Sequence, residues 1–269
     1  MFSPIGMKTA RVISDQDIVL HRAGGYQLVK GELKNQDWVS PSLNRTADGT
    51  LYLSIRDFVA WDKALRAKAI LKPESWAKVY SPARLNSGKT YPYGFGWDVD
   101  EDLGQLRIHH GGAWQGFKAY FSRYLGDDLS IMVLINLADA QPEAFIDSVA
   151  GLFNPKLVLS NDSTRDLDPA TAGLLRGLLA KTRAGKLAPE GFSFLRAGYF
   201  PKVPETYQKL LAPLGEPERL LLIRRLERGD DHAFRCRVVF KDKAFEADLQ
   251  IAPDGKVSGF WLWEDRSHP

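Results

Sequence analysis

The chain has one cysteine, no long apolar stretch, no run of basic residues and no cluster of metal-ligand type, and each absence excludes something. Cys236 is the only cysteine in 269 residues, so an intrachain disulfide or a site built on several thiolates is excluded. It alternates with Arg235 and Arg237 in a strand-like run and reads as a small buried hydrophobe. No apolar run reaches the length of a bilayer span. Met1–Arg11 lacks the charged start, apolar centre and small-residue cleavage site of an export signal. Lys and Arg number 36 against 33 Asp and Glu, a net charge of +3. They are not bunched, so nucleic acid is not an expected partner. No His, Asp and Glu grouping has zinc-ligand spacing, and Asp100-Glu101-Asp102, Asp127-Asp128 and Asp230-Asp231 read as solvated turn residues. No metal or other cofactor is expected. Ala83–Thr90, ARLNSGKT, loosely matches a phosphate-binding loop. Pro82 before it and Tyr91-Pro92-Tyr93-Gly94 after it rule out the helix such a loop must open.

What is present is ordinary for a folded protein, with 44% apolar and 26% charged residues. The length suits one large or two small domains. Ser54–Lys68 carries apolar residues at helical spacing, with Ser54 as its cap. Pro73 opens a shorter helix running to Tyr80. Gln105–His109, which alternates, Lys118–Leu125 and Leu129–Leu137 are strand candidates, and Gly126-Asp127-Asp128 turns the last two into a hairpin. Pro142–Phe153 is an amphipathic helix. Residues 156–168 are polar and read as a linker. Beyond it, Leu174–Leu179 and Pro204–Leu214 are helical. Arg219–Arg228, His232–Lys241, Ala244–Ala252 and Lys256–Trp263 form four successive strands. The expectation is an α+β protein with a first domain at 1–155 and a small α+β domain at 169–269, of the cone-shaped NTF2-like or cystatin-like kind.

The most informative stretch is His109–Phe117, HHGGAWQGF, which follows the first of those strands. It resembles the H-x-G form of the third active-site motif of the serine β-lactamase and penicillin-binding-protein superfamily. Phe2–Thr9 (FSPIGMKT), Arg22–Tyr26 (RAGGY), Asp48–Leu65 (DGTLYLSIRDFVAWDKAL) and Tyr93–Trp97 (YGFGW) match further family landmarks in order. The resemblance implies the C-terminal half of a β-lactamase/transpeptidase-like domain, with an antiparallel sheet flanked by helices. It also implies roles. His110 is the active-site wall residue that tunes the catalytic cluster. Gly112 lets the substrate backbone approach the strand. Ala113 offers its N–H to the oxyanion, a kind of donor whose loss costs about 2.7–4 kcal/mol. His109 is structural. Trp114 either binds substrate in the pocket or packs on the first domain's core.

The family's nucleophile is a Ser-x-x-Lys on a buried helix, backed by Tyr-x-Asn or Ser-x-Asn. The only Ser-x-x-Lys here is Ser75-Trp76-Ala77-Lys78, in a short polar segment downstream of FSPIGM, where the nucleophile should not lie. No Tyr-x-Asn occurs, and Ser42-Leu43-Asn44 is equally misplaced. The expected function is therefore part of a serine hydrolase of esters, peptides or β-lactams that cannot form an acyl-enzyme alone. The alternative is a non-catalytic binding or scaffold protein that pairs through an exposed sheet edge. A small-molecule or peptide substrate is the partner implied for the full-length parent. The resemblance implies an exported, periplasmic or secreted parent, and the compartment of this chain stays open.

Overall fold

The computed structural model describes residues 2–12, 16–36, 49–158, 164–195 and 197–265. It is mixed α+β, and it divides into two compact units, Met1–Pro82 with Tyr93–Val158, and Ala83–Pro92 with Leu159–Pro269. Among the described residues no helix is long and apolar enough to cross a membrane.

The first unit is built on a four-stranded antiparallel sheet of β1 (Asp98–Asp102), β2 (Gln105–Trp114), β3 (Phe117–Tyr124) and β4 (Leu129–Ile135), in chain order. Helix α1 (Ile55–Arg66) and helix α2 (Pro73–Val79) cover one face, where Leu65, Trp76, Val79 and Phe121 are buried together. Helix α3 (Pro142–Phe153) covers the other, where Ile146 and Ala150 meet Tyr120, Tyr124, Ile131 and Val133. Residues two apart on a strand share a face, so Tyr120, Ser122 and Tyr124 face α3 while Phe121 and Arg123 face α1 and α2. Arg123 is buried there, satisfied by the Tyr80 hydroxyl at 2.8 Å and the Asp62 carboxylate at 3.2 Å.

Local chemistry explains why α1 begins where it does. The Ser54 hydroxyl accepts from the Asp57 N–H, and the Asp57 carboxylate accepts from the Ser54 N–H at 2.9 Å, a capping box. Asp57 also accepts from the Thr9 backbone at 3.1 Å and from the Thr9 hydroxyl. Two landmarks far apart in sequence, FSPIGMKT and SIRDF, thus meet through one buried carboxylate. Burial alone would raise the Asp57 pKa, but the bonds from Thr9 and Ser54 outweigh it and hold it at about 2.

Strand β2 is longer than its sequence pattern suggests. Glycine weakens strands, so the sequence pattern places the strand's end at His109, yet the strand runs through Gly111 and Gly112 to Trp114. Pairing with β3 over its whole length carries it. A Cβ on Gly111 would stand 2.9 Å from the Tyr120 ring, so that ring packs where a side chain would be.

In the second unit, β5 (Arg165–Asp166), β6 (Arg219–Arg228), β7 (Asp231–Val239), β8 (Ala244–Ile251) and β9 (Val257–Glu264) form an antiparallel meander. Helices α4 (Pro169–Arg183) and α5 (Lys202–Leu211) cover one of its faces around Leu175, Leu211, Val238, Phe245 and Phe260. Asp168 caps α4 by accepting from the Thr171 N–H at 3.0 Å. Two segments differ from their sequence reading. The stretch read as a linker is tied down at both ends, since Leu157 is buried with α3 and β5 pairs with β6. Ala83–Pro92 packs with the second unit: Gly229 donates to the Thr90 carbonyl at 2.9 Å, and the Arg228 guanidinium sits 5.2 Å from the Tyr91 ring centroid.

Candidate functional site

Two turns decide what β2 presents. Leu103 and Gly104 (φ +47° and +80°) join β1 to β2, and Gln115 and Gly116 (φ +47° and +84°) join β2 to β3. Two-residue turns with both φ positive match the twist of a hairpin and make the flanking residues a hydrogen-bonded pair. Bonded pairs then recur at every second residue. Counting from Trp114 opposite Phe117, the even-numbered residues of β2 bond to β3. Counting from Gln105 opposite Asp102, the odd-numbered ones bond to β1. Strand β1 ends with Asp98 opposite His109. Gly111 and Ala113 therefore turn their N–H and C=O groups away from β3, and among the described residues no strand lies beyond them, an open edge two peptide units long.

Side chains along this edge fall on alternate faces. His110, Gly112 and Trp114 share the face of α1 and α2. A Cβ on Gly112 would meet nothing within 4 Å, so this glycine answers to no internal packing and leaves a gap between His110 and Trp114. His110 is exposed, and its Nε2 lies 3.1 Å from the Tyr93 hydroxyl, with the two rings edge-on at 5.9 Å. Trp114 lies against Gly49, whose Cβ position is 3.4 Å from the indole, and its buried Nε1 has no hydrogen-bond partner among the described residues.

His109 points the other way, into the sheet–α3 layer, and is buried. Its Nε2 is 3.2 Å from Asp100 Oδ2 and its Nδ1 is 2.7 Å from the Tyr120 hydroxyl, with the rings stacked at 5.7 Å. A carboxylate only accepts, so Nε2 carries the proton, and in the neutral ring Nδ1 accepts from Tyr120. Tyr120 suits that role: burial, and then the Glu143 carboxylate, push its pKa well above the usual phenol value. The rigid side of the strand is thus anchored by His109 while the open side carries His110.

The turn after Trp114 is fixed from outside the sheet. A Cβ on Gly25, in RAGGY, would fall on the Gln115 carbonyl oxygen and lie 3.1 Å from its carbon. A Cβ on Gly116 would lie 2.6 Å from the Tyr26 nitrogen. Tyr93 is held by the YGFGW loop, in which Gly94 donates to the Trp97 carbonyl at 2.7 Å. A Cβ on Gly94 would come within 2.7 Å of the Val79 carbonyl oxygen. Sequence reading treated Tyr93 only as a landmark; its partnership with His110 depends on this loop and could not be read from spacing. Ser75 is half-buried on α2, while Lys78 is exposed. Ser42-Leu43-Asn44 lies outside the described residues.

The model of the family described as beta-lactamase matches residues 1–152, more than half of the chain. This chain belongs to the beta-lactamase family. It is 29% identical over 148 residues to penicillin-binding protein 4* of Bacillus subtilis (strain 168), covering 51% of this chain and 33% of that protein. It is 28% identical over 148 residues to a D-aminopeptidase of Brucella anthropi, covering 53% of this chain and 27% of that protein. The similarity thus spans about a third or less of the length of these curated relatives. Among solved structures, an octameric penicillin-binding protein homologue from Pyrococcus abyssi aligns over 99% of this chain and 57% of its own, at 17% identity and a TM-score of 0.49.

Proposed function

We propose that residues 93–114 form the strand wall of a serine acyl-transfer site in a β-lactamase-family hydrolase. The carrying observation is the open edge at Gly111 and Ala113 beside a glycine with empty space over it. An ester, peptide or β-lactam carbonyl laid along this edge receives the Ala113 N–H, which stabilises the oxyanion of the tetrahedral intermediate. His110, oriented by Tyr93, faces the same substrate. The nucleophilic serine, its lysine base and its tyrosine are not among these 269 residues in the family's pattern. The polypeptide is therefore expected to need a further segment before it can acylate.

A fluorophosphonate probe with intact-mass detection tests this reading. The 269-residue chain is expected to stay unlabelled, and an adduct on Ser75 would refute it. Reading the coding sequence upstream of the Met1 codon tests the other half. An in-frame Ser-x-x-Lys followed by Tyr-x-Asn supports acyl transfer, and an immediate stop codon argues against it.

A binding or scaffold role is the second reading, favoured by the other side of the sheet. Among the described residues strand β4 is outermost; it carries no charged residue and exposes its own Leu134, while α3 exposes Phe145, Leu152 and Phe153. Such an unguarded edge invites pairing with another chain. Sedimentation of Leu134→Lys against the parent chain tests it: a shift from oligomer to monomer supports pairing, and a parent chain that is monomeric throughout rejects it.

A further inference from the structure

The last strand of the second unit carries two tryptophans on the face away from α4 and α5. Phe245, Ala247, Leu249, Phe260 and Leu262 turn into the core. By strand alternation Glu246, Asp248, Gln250, Gly259, Trp261 and Trp263 occupy the opposite face. The register sets Glu246 beside Trp263, Asp248 beside Trp261 and Gln250 beside Gly259.

The two indoles are used differently. Trp263 is covered by the Arg235 guanidinium, 5.2 Å from its ring centroid, and Arg235 is held by Glu246 at 2.7 Å. Trp261 has no ring, cation or hydrogen-bond partner among the described residues and is 40% exposed. Its benzene ring is folded down over Gly259, where a Cβ would run into Cζ3 and Cη2 and come within 3.2 Å of Gln250 Cδ. One face of the ring therefore lies on bare backbone and the other meets water, with the Gln250 amide at its rim. The ring is already ordered as a flat apolar surface, so a ligand that stacks on it loses little further side-chain entropy.

Charge on this face is balanced. Arg224, Arg235 and Arg237 are matched by Glu246, Asp248 and Asp265, with Arg237 and Asp265 paired at 2.7 Å. A charged ligand gains little here. A neutral ligand with a flat C–H face and a rim of hydroxyls fits a flat indole edged by an amide and a carboxylate.

We propose that Trp261, Gln250 and Asp248 form a binding site for neutral β-linked pyranose chains, with one sugar ring stacked on Trp261. Hydroxyls at the edge of that ring bond to Gln250 and Asp248. The edge of β9 is engaged by Ser193 at Val257 and by the Tyr199 hydroxyl at Phe260, so a chain of sugars would cross the face of the sheet rather than follow that edge.

Titration of the 269-residue chain with cellotetraose and with the N-acetylglucosamine tetramer, read by tryptophan fluorescence and calorimetry, tests the site. Saturable binding of at least one is expected in the micromolar to millimolar range. Trp261→Ala is expected to weaken it about ten-fold or more, with the unfolding transition of the second unit kept. Gly259→Ala retains the indole but lifts it from the backbone, and is expected to weaken binding in the same direction. No saturable signal from either sugar at about 10 mM overturns the proposal. So does unchanged affinity in Trp261→Ala, or binding of tetramethylammonium in place of the sugars. The readout is binding alone and does not depend on the hydrolase reading.

Discussion

Two glycines of the first unit should respond to the same substitution in opposite ways. In Gly25→Ala, the new methyl falls on the Gln115 carbonyl oxygen and within 3.1 Å of the Gln115 carbon and the Phe117 ring. Backbone cannot give way as a side-chain tip can, so either the RAGGY segment or the turn after β2 must move. Overpacking of this kind costs about 1–3 kcal/mol, and strain in a turn whose residues already hold positive φ adds to it. In Gly112→Ala nothing lies within 4 Å of the methyl. An extended alanine also loses less entropy on folding than glycine, so stability should hold or rise by about 0.5 kcal/mol. Calorimetry should show the first unit's transition lowered by roughly 5–10 °C in Gly25→Ala and unmoved in Gly112→Ala, since each kcal/mol is worth about 2–4 °C at this size. The second unit's transition serves as the internal reference. Equal transitions in the two variants would refute the account of the turn. If the edge beside Gly112 receives an acyl substrate, Gly112→Ala should also impair hydrolysis in any acylation-competent form of the protein while leaving folding intact.

The capped carboxylate predicts a pH effect. Asp57 has a folded pKa of about 2 against an ordinary value of 3.8, so its contribution of roughly 2 kcal/mol is present above pH 4 and lost as pH falls through 2. Urea unfolding of Asp57→Asn should show a flatter acid limb and lower stability at neutral pH. Burial pushes the Cys236 thiol up to about 12, so Ellman's reagent should leave it unmodified near pH 8 until the chain is unfolded. His109→Ala strips partners from buried Asp100 and Tyr120 and should cost about 2–4 kcal/mol, measured by urea unfolding. Tyr93→Phe removes one exposed hydrogen bond and should leave stability within about 0.5 kcal/mol. It should nevertheless shift the His110 Nε2 resonance in long-range 1H–15N spectra, and an unmoved resonance would break the Tyr93–His110 pairing.

Elements bounded by strong local signals were legible from sequence. Pro142–Phe153 begins at its proline, Ser54 caps α1, and Arg219–Arg228 forms a strand with the bounds its sequence suggests. Family membership was legible because several linked motifs recur in order. What was hidden depends on contacts between distant segments. The continuation of β2 through two glycines is supported by β3 and by the Tyr120 ring, neither of which marks the glycines themselves. Thr9 reaches Asp57 across 48 positions, and Tyr93 reaches His110 across 17. Ala83–Pro92 gave no compositional sign that it packs with Gly229 and Arg228.

The two tight turns that bracket β2 have a consequence for how this strand can vary. Between them the chain keeps a strict parity, with each peptide unit assigned to one neighbour or the other by whether its number is odd or even. Replacing a side chain leaves that assignment alone. Removing or adding one residue between Leu103 and Trp114 would invert it from that point to the nearer turn. The groups of Gly111 and Ala113 would swap places with those of Gly112, and the buried and exposed histidines would exchange sides. Length changes in this strand are therefore tolerable only in twos, and a single-codon deletion should do more harm here than almost any substitution.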